Sequence, residues 1–310
     1  MPLTLTHRRA VLLMILITLM WSIAGVVTRH LDAARGFEIT FWRSLFTAMA
    51  LTTALGVMRG PAFLRDLASA GWPVWVSSLC WATMFTAFMI ALTLTTVANV
   101  LIVLAAGPLI TALFARVFLH HRLPARTWAA IALGGVGIAW MFGQEAASGA
   151  SLAGSLVALF VPCASAVNYT LLQSIAHARA DGGKRSPDML PAILVGALLS
   201  AGLTLPLAGP PQASPHDIAL LALLGVVQLA IPCLLLVRVS RELPAAEMAL
   251  LGLLEILFGV LWVWLGAGEQ PSPVTLTGGG LVIAALILNE ALALRQKRLT
   301  LAAGRSDTRI

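Results

Sequence analysis

Ten runs of about twenty apolar residues, separated by short breaks of turn chemistry or charge, dominate the 310-residue chain. A helix needs about 20 such residues to cross the hydrocarbon core of a bilayer. The runs cover about 10–29, 37–58, 72–93, 97–119, 126–143, 152–177, 188–208, 216–238, 244–266 and 274–294. Arg35-Gly36, Arg59-Gly60-Pro61, Arg122-Leu123-Pro124, Gly182-Gly183-Lys184, Gly209-Pro210-Pro211 and Gln270-Pro271-Ser272-Pro273 mark six of the breaks. Thr95-Thr96 is the weakest of them and requires a very tight turn. Charged residues are only 11% of the chain, against about 25% in an average soluble domain. Too few polar side chains exist to cover a soluble globule of this size. The sequence therefore predicts an all-α integral membrane protein with ten transmembrane helices.

His7-Arg8-Arg9 precedes the first run in the manner of a secretory signal. The run to Thr28 exceeds a signal's apolar core and no small-residue cleavage site follows, so it reads as the first membrane helix. Cys80, Cys163 and Cys233 each lie within an apolar stretch and read as small buried hydrophobes. No metal pattern, cofactor motif or nucleic-acid motif accompanies them. The net charge of +7 fits basic cytoplasmic loops. With the N-terminus placed inside, only Arg29, Arg35 and Arg43 of the twenty basic residues fall outside or near the outer end. Both termini are therefore expected in the cytoplasm.

Residues 98–143 lie over 246–291 at a shift of 148, with a small gap near the end. Ala105-Ala106-Gly107-Pro108 then falls on Leu253-Leu254-Glu255-Ile256, and His121 on Glu269. Gly134, Gly135 and Gly137 answer Gly278, Gly279 and Gly280. Two five-helix halves follow, 1–147 and 148–294, with a basic cytoplasmic tail at 295–310. Five is odd, so the second half enters from the opposite side. Such inverted repeats build many secondary transporters, with substrate held near the midplane.

The chain resembles the ten-helix drug/metabolite transporter superfamily, of the EamA type. The resemblance is carried by Met20-Trp21-Ser22, Phe41-Trp42-Arg43, Ala105-Ala106-Gly107-Pro108, and Leu253-Leu254-Glu255 followed by Gly268-Glu269. Two positions depart from the family pattern. Ile256 replaces the usual proline after Glu255, and His121 stands where an acidic residue normally closes the fourth helix. The resemblance implies export of amino acids, drugs or other small metabolites from the bacterial cytoplasm across the inner membrane. It also implies a central cavity formed by helices one, three, four, six, eight and nine. Helices five and ten would be supports, where glycines permit close helix approach.

Glu255 is the sharpest single signal, because it sits halfway along the ninth run. A charge at that depth facing lipid costs at least ~2.5 kcal/mol, so it should face protein or water. There it can bind an ammonium, couple protons, or simply bond a neighbouring helix. Trp81, Met84, Phe85 and Phe88 recur down the third run and can line a pocket or pack against helices. Trp21, Asn168, Tyr169 and Gln228 complete the cavity candidates. Asn99 and Ser165 read as interhelical hydrogen-bonding groups. Arg43 lies about 9 Å into the second run and is expected to pair with Glu38, Asp32, Glu269 or helix-end carbonyls near the outer face, a direct substrate contact being the lesser alternative. Pro108, Pro162 and Pro232 are candidates for kinks or gating.

An intramembrane enzyme would need an acid–base or nucleophile constellation. His120, His121 and His177 lie near helix ends, and no GxSxG serine or paired aspartates occur in a run. A receptor would need a large extramembrane surface, and no loop is long enough. The expectation is a non-enzymatic transporter without cofactor, working as a monomer on amino acids, hydrophobic and aromatic ones included. The alternative is proton-coupled extrusion of cationic or hydrophobic drugs.

Overall fold

The computed structural model describes residues 6–60, 63, 70–95, 100, 103–119, 123–149, 152–180, 187–267, 273–274, 276–285, 287–289 and 292. Asn99, His120, His121, Glu269, the break at 182–184 and the tail at 295–310 lie outside them. Every regular element among the described residues is helical. Among the described residues seven helical runs are long and apolar enough to cross a membrane: His7–Thr28, Gly36–Arg59, Trp72–Leu94, Leu152–Ala176, Leu190–Leu207, Pro215–Val239 and Ala245–Gly266. Gly107–Phe118 and Leu276–Asn289 are shorter apolar helices at the fourth and tenth expected positions. Ala125–Gly149 is helical at the fifth.

Several of these runs are broken. The first is α1 (His7–Trp21) followed by α2 (Ala24–Thr28), with turn residues Ser22 and Ile23 between. Next come α3 (Gly36–Arg59) and α4 (Trp72–Leu94). A turn at Ala105-Ala106 precedes α5 (Gly107–Phe118), which Pro108 opens without needing the missing N–H. Then follow α6 (Ala125–Gly149), α7 (Leu152–Ala180) and α8 (Leu190–Thr204). The eighth run joins α9 (Pro215–Leu223), a π-turn at Leu224–Ala230 and α10 (Ile231–Val239). Pro232 cannot donate to the carbonyl four residues back, and the Ile231 N–H reaches Val226, five back. The ninth run divides at Leu253 into α11 (Ala245–Gly252) and α12 (Leu254–Ala267). Last comes α13 (Leu276–Asn289).

The break at Leu253 forms without a proline. The Leu253 N–H bonds the Leu250 carbonyl at 3.1 Å, and the Ile256 N–H bonds the Leu253 carbonyl at 3.1 Å. Both are the tighter i→i−3 pattern. The opposite half has the same feature, where the Ala106 N–H bonds the Val103 carbonyl at 3.1 Å. At the shift of 148, Ala105 falls on Leu253, so the two breaks coincide.

The main core joins α1, α3, α4, α7, α8, α10 and α11, with Met14, Ile17, Leu51, Ile193, Leu236 and Met248 sealed inside it. A second core ties α5, α6, α11, α12 and α13 together. A Cβ added to Gly137 on α6 would lie 2.7 Å from the Gly278 carbonyl oxygen on α13. The two backbones therefore touch, which only a missing side chain permits. Large apolar side chains such as Leu79, Leu156 and Leu203 point outward. In water such surface would be a liability, whereas lipid solvates it.

Two carboxylates bind the loops at one end of the bundle. Asp217 caps α9 in a reciprocal box with Ser214 and also accepts the N–H groups of Asp32, Ala33 and Ala34 at 2.7–3.0 Å. Glu38 on α3 accepts the N–H groups of Gln212 and Ala213 at 2.9 and 3.0 Å. Each carboxylate thus holds a loop from the other half of the chain. At the opposite end Arg59 pairs with Asp188, and His7 lies 3.3 Å from Glu247.

Candidate functional site

The broken helices deliver their ends to one cavity of about 150 Å³, far above the roughly 10–15 Å³ that holds one water. Trp21 closes α1, Gly107 opens α5, Gly252 closes α11, and all three line it. Helix ends carry backbone groups without intrahelical partners. Here the Trp21 carbonyl accepts a hydrogen bond from the Gln228 side chain at 3.3 Å. Gln228 comes from the π-turn, whose extra residue per turn widens the helix at that level. Ser22, in the first break, accepts a hydrogen bond from the Trp262 indole at 2.9 Å.

One wall is the aromatic face of α4. Trp81 and Phe85 stand 5.6 Å apart, with Met84 and Phe88 beside them. Val161, Pro162, Ser165 and Tyr169 of α7, which packs against α4, line the cavity as well, with Leu104 and Pro108 of the fourth run. The Ser165 hydroxyl is spent on the Pro162 carbonyl at 3.0 Å. Leu253, Glu255 and Ile256 complete the enclosure from the ninth run. Glu255 sits in the first turn of α12, where the helix dipole favours a carboxylate.

Of the residues proposed from sequence, Trp21, Trp81, Met84, Phe85, Tyr169, Gln228, Glu255, Pro108 and Pro162 come together here. Asn168 and Pro232 are not among the lining residues. Asn168 is fully buried elsewhere, its Oδ1 accepting from the Ser77 hydroxyl at 2.6 Å. Pro232 is buried where α10 leaves the π-turn.

Arg43 corrects the sequence reading. It does not pair with Glu38, Asp32 or a helix end near the outer face. Its guanidinium donates to the Phe85 carbonyl at 2.8 Å, in the middle of α4, and it lines the cavity. The second run was not among the helices expected to form the cavity, yet it supplies this cation. Gly225 explains how α3 comes so close: a Cβ there would lie 2.7 Å from the Arg43 carbonyl oxygen. The Thr47 hydroxyl bridges the Arg43 and Gly225 carbonyls at 2.8 and 2.9 Å. The signal available in sequence was the intramembrane charge itself, which marks a functional position by default.

Arg43 and Glu255 interact electrostatically but make no direct ion pair among the described residues. The site thus combines apolar aromatic walls with one cation and one anion. Among the described residues no group of three or more His, Cys, Asp or Glu gathers as a metal site would.

A model of the EamA-like transporter family matches residues 8–143 and 186–290. The chain belongs to this family. The resemblance carried by the short motifs is thereby confirmed, and with it a multi-pass membrane protein of transporter type. No curated protein matches the chain. Among solved structures 28 chains match. One crystal structure covers 93% of this EamA-family chain and 99% of its own, with a TM-score of 0.76 at 20% identity. At that identity the likeness is one of fold.

Proposed function

We propose that this EamA-family protein is a secondary transporter of the bacterial inner membrane that exports amino acids, hydrophobic and aromatic ones included, and related small metabolites by alternating access. The observation that carries the reading is the cavity walled by Trp21, Trp81, Phe85 and Tyr169 with the Glu255 carboxylate facing it. The aromatic wall suits an apolar side chain, the carboxylate suits an ammonium group, and Met84 adapts to several shapes.

The architecture proposed with it is ten membrane helices in two inverted halves, 1–147 and 148–294, with both termini and the 295–310 tail cytoplasmic. The coincident breaks at Ala105 and Leu253 support the duplication, as does the family match in two stretches. Broken helices beside a midplane cavity are where secondary transporters hold substrate. Pro108, Pro162 and Pro232 are proposed as the points about which the two halves bend during access exchange, and the protein is proposed to act as a monomer. Glu255 alone would also suit proton-coupled extrusion of cationic drugs. Arg43 in the same cavity disfavours that alternative, because a second cation would meet it. Counterflow of labelled amino acids in proteoliposomes, with and without a pH gradient, tests the function. Accumulation without the gradient supports amino-acid exchange, whereas extrusion of cations only with the gradient would favour the alternative.

A further inference from the structure

Three residues that line the cavity each carry a buried polar atom with no hydrogen-bond partner among the described residues: Arg43 Nε, Trp81 Nε1 and Gln228 Oε1. Their residues are 1%, 2% and 4% exposed. An unpaired polar group at such burial is costly, and an unpaired charge more so. Two of the three are donors and one is an acceptor. Glu255 adds an acceptor carboxylate facing the same space.

This inventory selects a ligand chemistry. A simple cation satisfies Glu255 and Gln228 but places a like charge beside Arg43. A simple anion satisfies Arg43 and Trp81 but meets Glu255. A ligand carrying both charges completes all four groups. We infer that the cavity reads both ends of a zwitterion, with Arg43 Nε and Trp81 Nε1 receiving the carboxylate and Glu255 and Gln228 Oε1 receiving the ammonium. Arg43 is held for this role by contacts to α4 and within α3. Its Nη2 donates to the Phe85 carbonyl, and its own carbonyl is tied through Thr47. The inference rests on the amino-acid reading above and adds to it the carboxylate receptor.

Three probes with one phenyl body separate the charges: L-phenylalanine, phenethylamine, which lacks the carboxylate, and 3-phenylpropionate, which lacks the ammonium. Their affinities for the purified wild-type protein in nanodiscs are to be measured by calorimetry. The inference expects L-phenylalanine to bind about tenfold or more tighter than either, the size of one charge-assisted bond. Equal binding of phenethylamine and L-phenylalanine would overturn it while leaving an amine-binding site intact. Binding of none of the three would overturn the amino-acid reading and this inference together. Trp81→Phe keeps the ring and removes the N–H. It is expected to weaken L-phenylalanine and 3-phenylpropionate and leave phenethylamine unchanged, whereas equal weakening of all three would overturn the carboxylate assignment. Arg43→Lys keeps the charge but not the Nε–H, and it is expected to show the same selective loss.

Discussion

Arg43 of α3 and Glu255 of α12 line one cavity from the two halves of the chain, and no ion pair joins them. Opposite charges at membrane depth usually neutralise one another when they can. Here the Arg43 side chain is fastened to the Phe85 carbonyl, and Glu255 is fixed in the first turn of a helix that starts at the Leu253 break. Each charge is thus positioned by its own surroundings rather than by the other. The zwitterion proposed above supplies a complementary charge to each.

The aromatic wall makes a prediction about size. Trp81→Ala removes contact area worth about 1–3 kcal/mol for a well-buried ligand or side chain. Transport of tryptophan or phenylalanine is expected to weaken more than transport of alanine, measured as the concentration for half-maximal flux. Equal loss for all substrates, with less protein in the membrane, would mean that Trp81 only packs.

The Asp217 carboxylate serves the N–H groups of Asp32, Ala33, Ala34 and Ser214 and has no exposed surface. Asp217→Ala leaves these donors unpaired and removes the side-chain half of the α9 capping box, while Ser214 Oγ still accepts the backbone N–H of residue 217. A destabilisation of about 2 kcal/mol or more is expected, read as a lowered Tm in detergent. Asp217→Asn keeps one acceptor oxygen and should lose less. An unchanged Tm in the alanine variant would show that water replaces the carboxylate.

Gly137 and Gly135 form a matched pair for testing helix contact. A Cβ at Gly137 meets the Gly278 oxygen at 2.7 Å and Val282 at 3.0 Å, while one at Gly135 meets nothing within 4 Å. Gly137→Ala is expected to lower the Tm and the yield of folded protein, and Gly135→Ala to leave both unchanged or raise them. Identical behaviour of the two would argue against the α6–α13 packing.

Topology is open to thiol labelling. Cysteines at Ser148 and Ser272 are expected to react with an impermeant reagent applied outside the cell, and cysteines at Ser186 and Ser306 to be protected. The reverse pattern would overturn the orientation drawn from the basic residues.

The helices were legible because a bilayer imposes a length on them. The runs 37–58, 72–93 and 216–238 match α3, α4 and the stretch from α9 to α10, Pro215–Val239, to within a residue or two. The break at Leu253 was not legible. It follows Gly252 but has no proline to mark it. Direction was equally hidden at Asn168. Depth placed it near the cavity, yet a helix apolar on every side gives no periodic sign of which face turns inward. Arg43 failed for a third reason. Counting residues put it near the outer end of its helix, and only the tertiary contact with Phe85 draws the guanidinium to the interior. Asp217 carried a visible signal, Ser214 three residues ahead of an acid at a helix start, but not the loop it grips.

Glu255 bears the central claim, that this cavity binds an amino acid through its ammonium while the protein carries it across the membrane. The direct test is counterflow of labelled L-phenylalanine into proteoliposomes preloaded with unlabelled L-phenylalanine, comparing wild type with Glu255→Gln at equal protein density. The substitution keeps the shape and removes the charge. Wild type is expected to show transient accumulation above protein-free vesicles, and the variant to need about tenfold or more substrate for the same flux. No accumulation by the wild type, or the same concentration dependence in both proteins, would contradict the claim.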